Sequence, residues 1–209
     1  MIEIEIKCKP TPEQQAALLN DATFVSEEQL TDVYYDSHTY ELSTKDYWLR
    51  TRNGKFVLKI PAAAACPVLA IQANTPKHEL ETEQEIRSAL NLSANGVLPQ
   101  ALLQTGYKPL YTLTKVRKKY IVDEFTIDFD HATFETLPSF DLCEIEIMVE
   151  KAEEISGATQ KLVAFAQRYG IALNAVPGNL IALIMATNPT HYEILEKART
   201  ERLQKKSID

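Results

Sequence analysis

Residues 2–7 read Ile-Glu-Ile-Glu-Ile-Lys, a strict alternation of apolar and charged side chains. A period of two belongs to a β-strand, whose successive side chains leave opposite faces of the pleat. The alternation recurs downstream. Phe125, Ile127 and Phe129 interleave with Asp128 and Asp130, and Ile145, Ile147 and Val149 with Glu144 and Glu146. Arg50 and Arg52 share a strand face with Trp48, and Arg117 shares one with Lys115 and Lys119. A sheet with one face in water would mix Thr, Ser, Lys and Glu on that face. Here carboxylate sits beside carboxylate and arginine beside arginine, while the opposite faces are unusually apolar. If helices cover the apolar faces, the charged faces look inward, into a wet channel. Like charges held side by side are tolerated when a group of opposite sign sits among them. Carboxylates suit a hard divalent cation, and arginines suit a bidentate anion. Both in one channel point to a metal-bridged polyphosphate; a triphosphate carries roughly four negative charges.

The rest of the chain supplies elements to enclose such a channel. Thr11, Pro12 and Gln14 form an N-cap, N1 and capping-box start for a helix to about residue 20. Strands are expected at 31–36, 47–52 and 56–60, the last two joined by Asn53-Gly54, a strong hairpin signal. Residues 61–78, with an alanine run between prolines, read as a loop. Glu79 and Glu81 beside it read as surface carboxylates. Thr82 and Glu85 open a second capping box, for a helix to about 92, and a helical turn or two follows at 99–105. Three more strand runs fall at 111–122, 124–130 and 143–149. Residues 151–169 carry Ile155, Leu162, Phe165 and Ala166 on one helical side. Asn188-Pro189 looks like the start of a last helix, running into the charged tail 197–206. Seven or eight short, mostly antiparallel strands with helices between and after them give an α+β class around a closed or strongly curved sheet. With no repeat and no linker, 1–209 is expected to be a single domain with a C-terminal helical segment at about 189–206.

Composition narrows the partners. Lys and Arg number 22 against 29 Asp and Glu, a net charge of −7, so the basic footprint of a nucleic-acid binder is absent. Cys8, Cys66 and Cys143 form no CxxC and read as reduced thiols, with Cys8 on the isoleucine side of its strand. Met1 runs straight into the alternation, without the basic start of a signal peptide. The longest weakly polar stretch, 60–71, contains two prolines and is too short to span a bilayer. These features set the expectation of a cytoplasmic monomer with no nucleic-acid or membrane partner. The four histidines show no zinc-ligand spacing, and no Gly-rich loop for phosphate is present.

Glu3-Ile4-Glu5-Ile6-Lys7 resembles the ExExK signature of the CYTH superfamily, the triphosphate tunnel metalloenzymes. More specifically, Val33-Tyr34-Tyr35-Asp36, Leu42, Asp46-Tyr47-Trp48-Leu49-Arg50-Thr51-Arg52 and Phe56-Val57-Leu58-Lys59 resemble the thiamine-triphosphatase branch, which reads YYD…L…DxWLRxR…WxLK. Arg117, Asp128-Phe129-Asp130, Glu144-Ile145-Glu146 and Pro189-Thr190-His191-Tyr192 fall in the branch's order. The resemblance implies an eight-stranded antiparallel β tunnel with helices outside. It implies that Lys7, Arg50, Arg52, Lys59 and Arg117 hold a triphosphate. Glu3, Glu5, Asp128, Glu144 and Glu146 would hold magnesium, or manganese, directly or through water, with Asp128 and Glu144 also lining the substrate. Asp130 is a further candidate. Lys7 and Arg117 would stabilise the charge developing in catalysis, and Trp48 would pack against the thiamine moiety. The implied activity is hydrolysis of thiamine triphosphate to the diphosphate and phosphate. An inorganic triphosphatase, an adenylate cyclase of the same fold, or a non-catalytic polyphosphate or nucleotide sensor are the alternatives. One departure stands out: Asn179 occupies the place where the branch has a phosphate-binding Lys.

Overall fold

The alternating segment at the start of the chain forms β1 (Ile2–Cys8) in a computed structural model that describes residues 1–62, 75–134 and 137–206. It is followed by α1 (Pro12–Asp21), β2 (Thr23–Asp36), α2 (Glu41–Thr44), β3 (Trp48–Arg52), β4 (Lys55–Pro61) and β5 (Lys77–Leu80). Then come α3 (Glu83–Ala89), α4 (Leu98–Thr105), β6 (Lys108–Val122), β7 (Phe125–Thr133) and β8 (Phe140–Val149). A 3₁₀ turn (Ala152–Glu154), α5 (Ile155–Arg168), α6 (Asn179–Thr187) and α7 (Pro189–Lys206) complete the described residues. The strands form a closed antiparallel barrel in the order β1-β5-β4-β3-β2-β6-β7-β8. Both capping boxes form, at Thr11 with Gln14 and at Thr82 with Glu85. The β3–β4 hairpin turns through Asn53 and Gly54, both with positive φ (47° and 84°), the geometry that an Asn-Gly turn supplies.

The structure extends the sequence reading where periodicity is silent. β2 begins at Thr23 rather than 31, through mostly exposed residues that carry no alternation. α2 has only four residues, too few for a helical period to show. α6 is apolar on most sides, Asn-Leu-Ile-Ala-Leu-Ile-Met-Ala-Thr, so it shows no amphipathic stripe. Most of the loop expected at 61–78, with Cys66, lies outside the described residues, and its end forms β5 instead.

The chain divides into two compact units of interleaved segments. The first comprises 1–30, 62–78 and 114–182. Its core stacks Ile2, Ile4 and Ile6 of β1, Phe125 and Ile127 of β7, and Ile145 and Ile147 of β8 against Leu162, Phe165 and Ala166 of α5. Phe125 and Phe165 meet with ring centroids 4.3 Å apart. Burying one face of each strand under α5 leaves the charged face as the barrel's inner face. Truncating Leu162, fully buried here, to Ala would cost about 2–5 kcal/mol. Cys8 lies in this core opposite Cys143, both as free thiols.

The second unit comprises 31–61, 79–113 and 183–209. Leu42, Leu49, Leu58, Ile86, Leu98, Leu102 and Tyr107 form its core. Asp36 organises α2: its Oδ1 accepts from the Ser37 and Leu42 amides (both 2.8 Å) and its Oδ2 from the Ser43 amide (3.0 Å). α7 docks there through His191, whose ring stacks on Tyr40 at 3.6 Å and hydrogen-bonds Ser43 Oγ (3.0 Å) and Tyr111 Oη (2.8 Å). Burial holds the imidazole below its ordinary pKa. Among the described residues no helix is long and apolar enough to cross a membrane.

Candidate functional site

In the first unit, antiparallel pairing brings like and unlike charges opposite one another: Glu5 faces Glu146, Lys7 faces Glu144, Asp128 faces both Glu144 and Lys119, and Arg117 faces Asp130. Directly opposed residues share a sheet face, so these side chains converge. Arg117 is the hub. Its Nε and Nη2 donate to Asp130 at 2.6 and 2.7 Å, Nη2 also reaches Glu144 at 2.6 Å, and Nη1 bonds Asp128. Burial works against its charge, but Asp130 and Glu144 outweigh that and raise its pKa. Lys7 pairs with Glu5 and lies 4.0 Å from Glu144. Gly178 gives Lys7 its room, since a Cβ there would sit 3.0 Å from Lys7 Cε.

Carboxylate is in excess on this face. Burial, then the neighbouring Glu3 and Asp128, push the Glu146 carboxyl up to about 8, against an ordinary 4.5. Burial likewise raises Asp128, which has no exposed surface and whose Oδ1 makes no hydrogen bond; Lys119 lies 3.5 Å away. A buried carboxylate set that cannot all ionise together is chemically suited to a hard divalent cation with oxygen ligands. Arg117 grips one oxygen of Asp128 and also Glu144, Lys7 pairs with Glu5, and Lys119 lies 3.8 Å from Glu146. Among the described residues no three His, Cys, Asp or Glu side chains are arranged to hold a metal ion. Asp130 is unlike the rest. Arg117, Lys115 and Asn179 (Nδ2 to Oδ2, 2.9 Å) fill both its oxygens, which fits an anchor better than a metal ligand.

The second unit carries the opposite imbalance. Leu49 enters the core, so Trp48, Arg50 and Arg52 share the other face of β3. Arg52 forks onto Asp32 through two bonds of 2.8 Å. Arg50 donates to Tyr34 Oη (3.2 Å) and Asp32 (3.4 Å), and its buried Nε has no partner. Lys59, the register partner of Trp48, pairs with Glu79 at 3.0 Å, and Arg50 lies 3.9 Å from the same oxygen. Burial opposes the Glu79 charge, yet Lys59 and Arg50 hold its carboxyl below the usual range. Among the described residues, Arg50, Arg52 and Lys59 gather around the carboxylates of Asp32 and Glu79. Glu79 is therefore no surface residue, contrary to the sequence reading; Glu81 is exposed as expected. Trp48 donates its indole N–H to Asp46 Oδ1 at 2.8 Å.

The residues expected to hold triphosphate or metal thus lie in two clusters: Glu3, Glu5, Lys7, Arg117, Asp128, Asp130, Glu144 and Glu146 in the first unit, and Trp48, Arg50, Arg52 and Lys59 in the second. Sequence reasoning assigned no site role to Asp32, Tyr34, Asp46 and Glu79. Parity along 31–36 places Asp32 with Tyr34, a signal available in the sequence. Glu79 hides in a strand of four residues beside an undeclared segment.

The family model of the CYTH domain matches residues 1–175. Human thiamine-triphosphatase is 24% identical over 220 residues, covering 97% of this chain and 92% of its own. Among solved structures, a protein from Pyrococcus horikoshii OT3 superposes with a TM-score of 0.63 at 23% identity, covering 88% of this chain and 99% of its own. A candidate adenylyl cyclase from Hippeastrum, reported with a dominant triphosphatase activity, gives 0.50 at 17% identity, over 88% of this chain and 95% of its own.

Proposed function

The chain belongs to the CYTH domain family, and from that premise we propose that it is a metal-dependent triphosphate hydrolase with thiamine triphosphate as its substrate. The observation that carries the reading is the pair of opposite charge imbalances, buried carboxylate in excess on β1, β7 and β8 and buried guanidinium in excess on β3. A divalent cation suits the carboxylates, and a triphosphate suits the guanidinium groups. Arg50, Arg52 and Lys59 hold the phosphate chain, giving up part of their contact with Asp32 and Glu79. Lys7 and Arg117 stabilise the charge that develops at the terminal phosphate, in the manner of preorganised cations. Glu3, Glu5, Asp128, Glu144 and Glu146 hold the metal, magnesium or manganese. When bound, the cation neutralises phosphate oxygens and lowers the pKa of coordinated water. A water oxygen forms the new bond to the terminal phosphorus, its proton passing to a carboxylate. The bridging P–O bond breaks, and its electron pair leaves with the diphosphate. Trp48 supports the thiamine moiety, whose cationic ring suits an indole face. The relatedness to human thiamine-triphosphatase supports this choice of substrate.

The test is phosphate release with magnesium from thiamine triphosphate, inorganic tripolyphosphate and ATP under identical conditions. Preference for the thiamine compound, lost in Trp48→Ala, is the expected result. Preference for tripolyphosphate would overturn the thiamine assignment and keep the hydrolase. No release from any of the three would overturn both.

A further inference from the structure

The turn that leads into β3 holds a feature the phosphate chemistry does not use. α2 ends with the Tyr47 amide donating to the Leu42 carbonyl (2.9 Å) and the Asp46 amide donating to the Ser43 carbonyl (2.9 Å). This is the paired closure in which the residue after the helix takes the left-handed conformation, a place that favours glycine. Asp46 occupies it, with φ of 63°. A non-glycine residue kept in the left-handed region is a reason to ask what its side chain does. Here the carboxylate turns onto the next strand and accepts the Trp48 indole N–H at 2.8 Å. The backbone conformation and the side-chain bond therefore fix one thing, the orientation of the ring that shares a face with Arg50 and Arg52.

We propose that Asp46 is the positioning residue that makes Trp48 a platform for a cationic aromatic group carried on a triphosphate. The bond withdraws the ring's only N–H from competition and restrains its rotation. The carboxylate also places negative charge at the indole edge, which strengthens the attraction of the π face for a cation. Lys59, opposite Trp48 on β4, pairs its ammonium with Glu79 at 3.0 Å. The proposal rests on the triphosphate reading above and adds the selectivity for the group beyond the phosphates.

The chain has a single tryptophan, so its fluorescence reports Trp48 alone. Stopped-flow mixing of the full chain and magnesium with thiamine triphosphate reads binding before turnover, and competition by tripolyphosphate gives the second affinity. The wild type is expected to quench and to prefer the thiamine compound. Asp46→Gly, which suits the left-handed backbone and so keeps the fold, is expected to lower that affinity ratio about tenfold. Its unliganded Trp48 anisotropy should fall, with no loss of thermal midpoint. Asp46→Asn keeps an acceptor and tolerates the backbone, so it should restore the anisotropy and recover most of the ratio. An unchanged ratio in Asp46→Gly, or a wild type with no preference for the thiamine compound, overturns the proposal. Preference without phosphate release leaves Asp46 in this role and sinks the hydrolase reading instead.

Discussion

The two compact units are built on one plan, with a strand face buried in an apolar core and the opposite face charged, yet their electrostatics are mirror images. In the first, Glu146 is pushed up to about 8 and Asp128 Oδ1 is buried without a hydrogen bond. In the second, Glu79 is held below its usual range and the buried Arg50 Nε is the group left without a partner. Each unit pairs most of its charges internally, by fork contacts such as Arg52 on Asp32 and Arg117 on Asp130. The remainder is acid in one and base in the other. A hard divalent cation suits the first remainder and an anion the second.

Removing the hub of the acidic unit should break the contrast most severely. Arg117→Ala strips one guanidinium from Asp128, Asp130 and Glu144. The expected outcome is a rate loss of about a thousandfold, from steady-state kinetics, with about 3–5 kcal/mol lost in urea unfolding. Arg52→Ala in the basic unit should be milder, because Arg50 remains 3.4 Å from Asp32. About a hundredfold in rate and about 1–3 kcal/mol in stability are expected.

The acidic remainder has a pH signature. Glu146 keeps its proton in the folded chain up to about 8, whereas the unfolded chain releases it near the ordinary 4.5. The metal-free protein should therefore lose stability as pH rises from about 4.5 to 8 and level off above that. Thermal midpoints in chelator at pH 6 and 8.5 would show it, and Glu146→Gln should flatten the slope. The smallest effect belongs to Gly178→Ala. Its methyl meets the flexible end of Lys7 at 3.0 Å, so the fold should survive while kcat falls by about three- to tenfold.

What could be read from the sequence follows from periodicity. The charged strands β1, β3, β7 and β8 announced themselves because alternation fixes both the strand and its inner face. Asn53-Gly54 fixed the β3–β4 register, hence the pairing of Trp48 with Lys59. The exposed half of β2, the four-residue α2 and β5, and the uniformly apolar α6 carry no period, so the contacts of Glu79 with Lys59, of Asp46 with Trp48 and of Asn179 with Asp130 stayed hidden. Which cation grips which carboxylate is a matter of side-chain reach that parity does not encode. The expectation of a charge deficit at Asn179 gains physical content from that contact: its amide adds a donor to Asp130, which also takes Lys115 and Arg117.

Calorimetric binding of tripolyphosphate with and without magnesium is the first experiment for the proposed pairing of a divalent cation with the acidic remainder and of a triphosphate with the basic one. Magnesium should tighten binding at least about tenfold, with the gain lost in Glu146→Gln and overall affinity weakened in Arg52→Ala. Equal affinity with and without magnesium would contradict it.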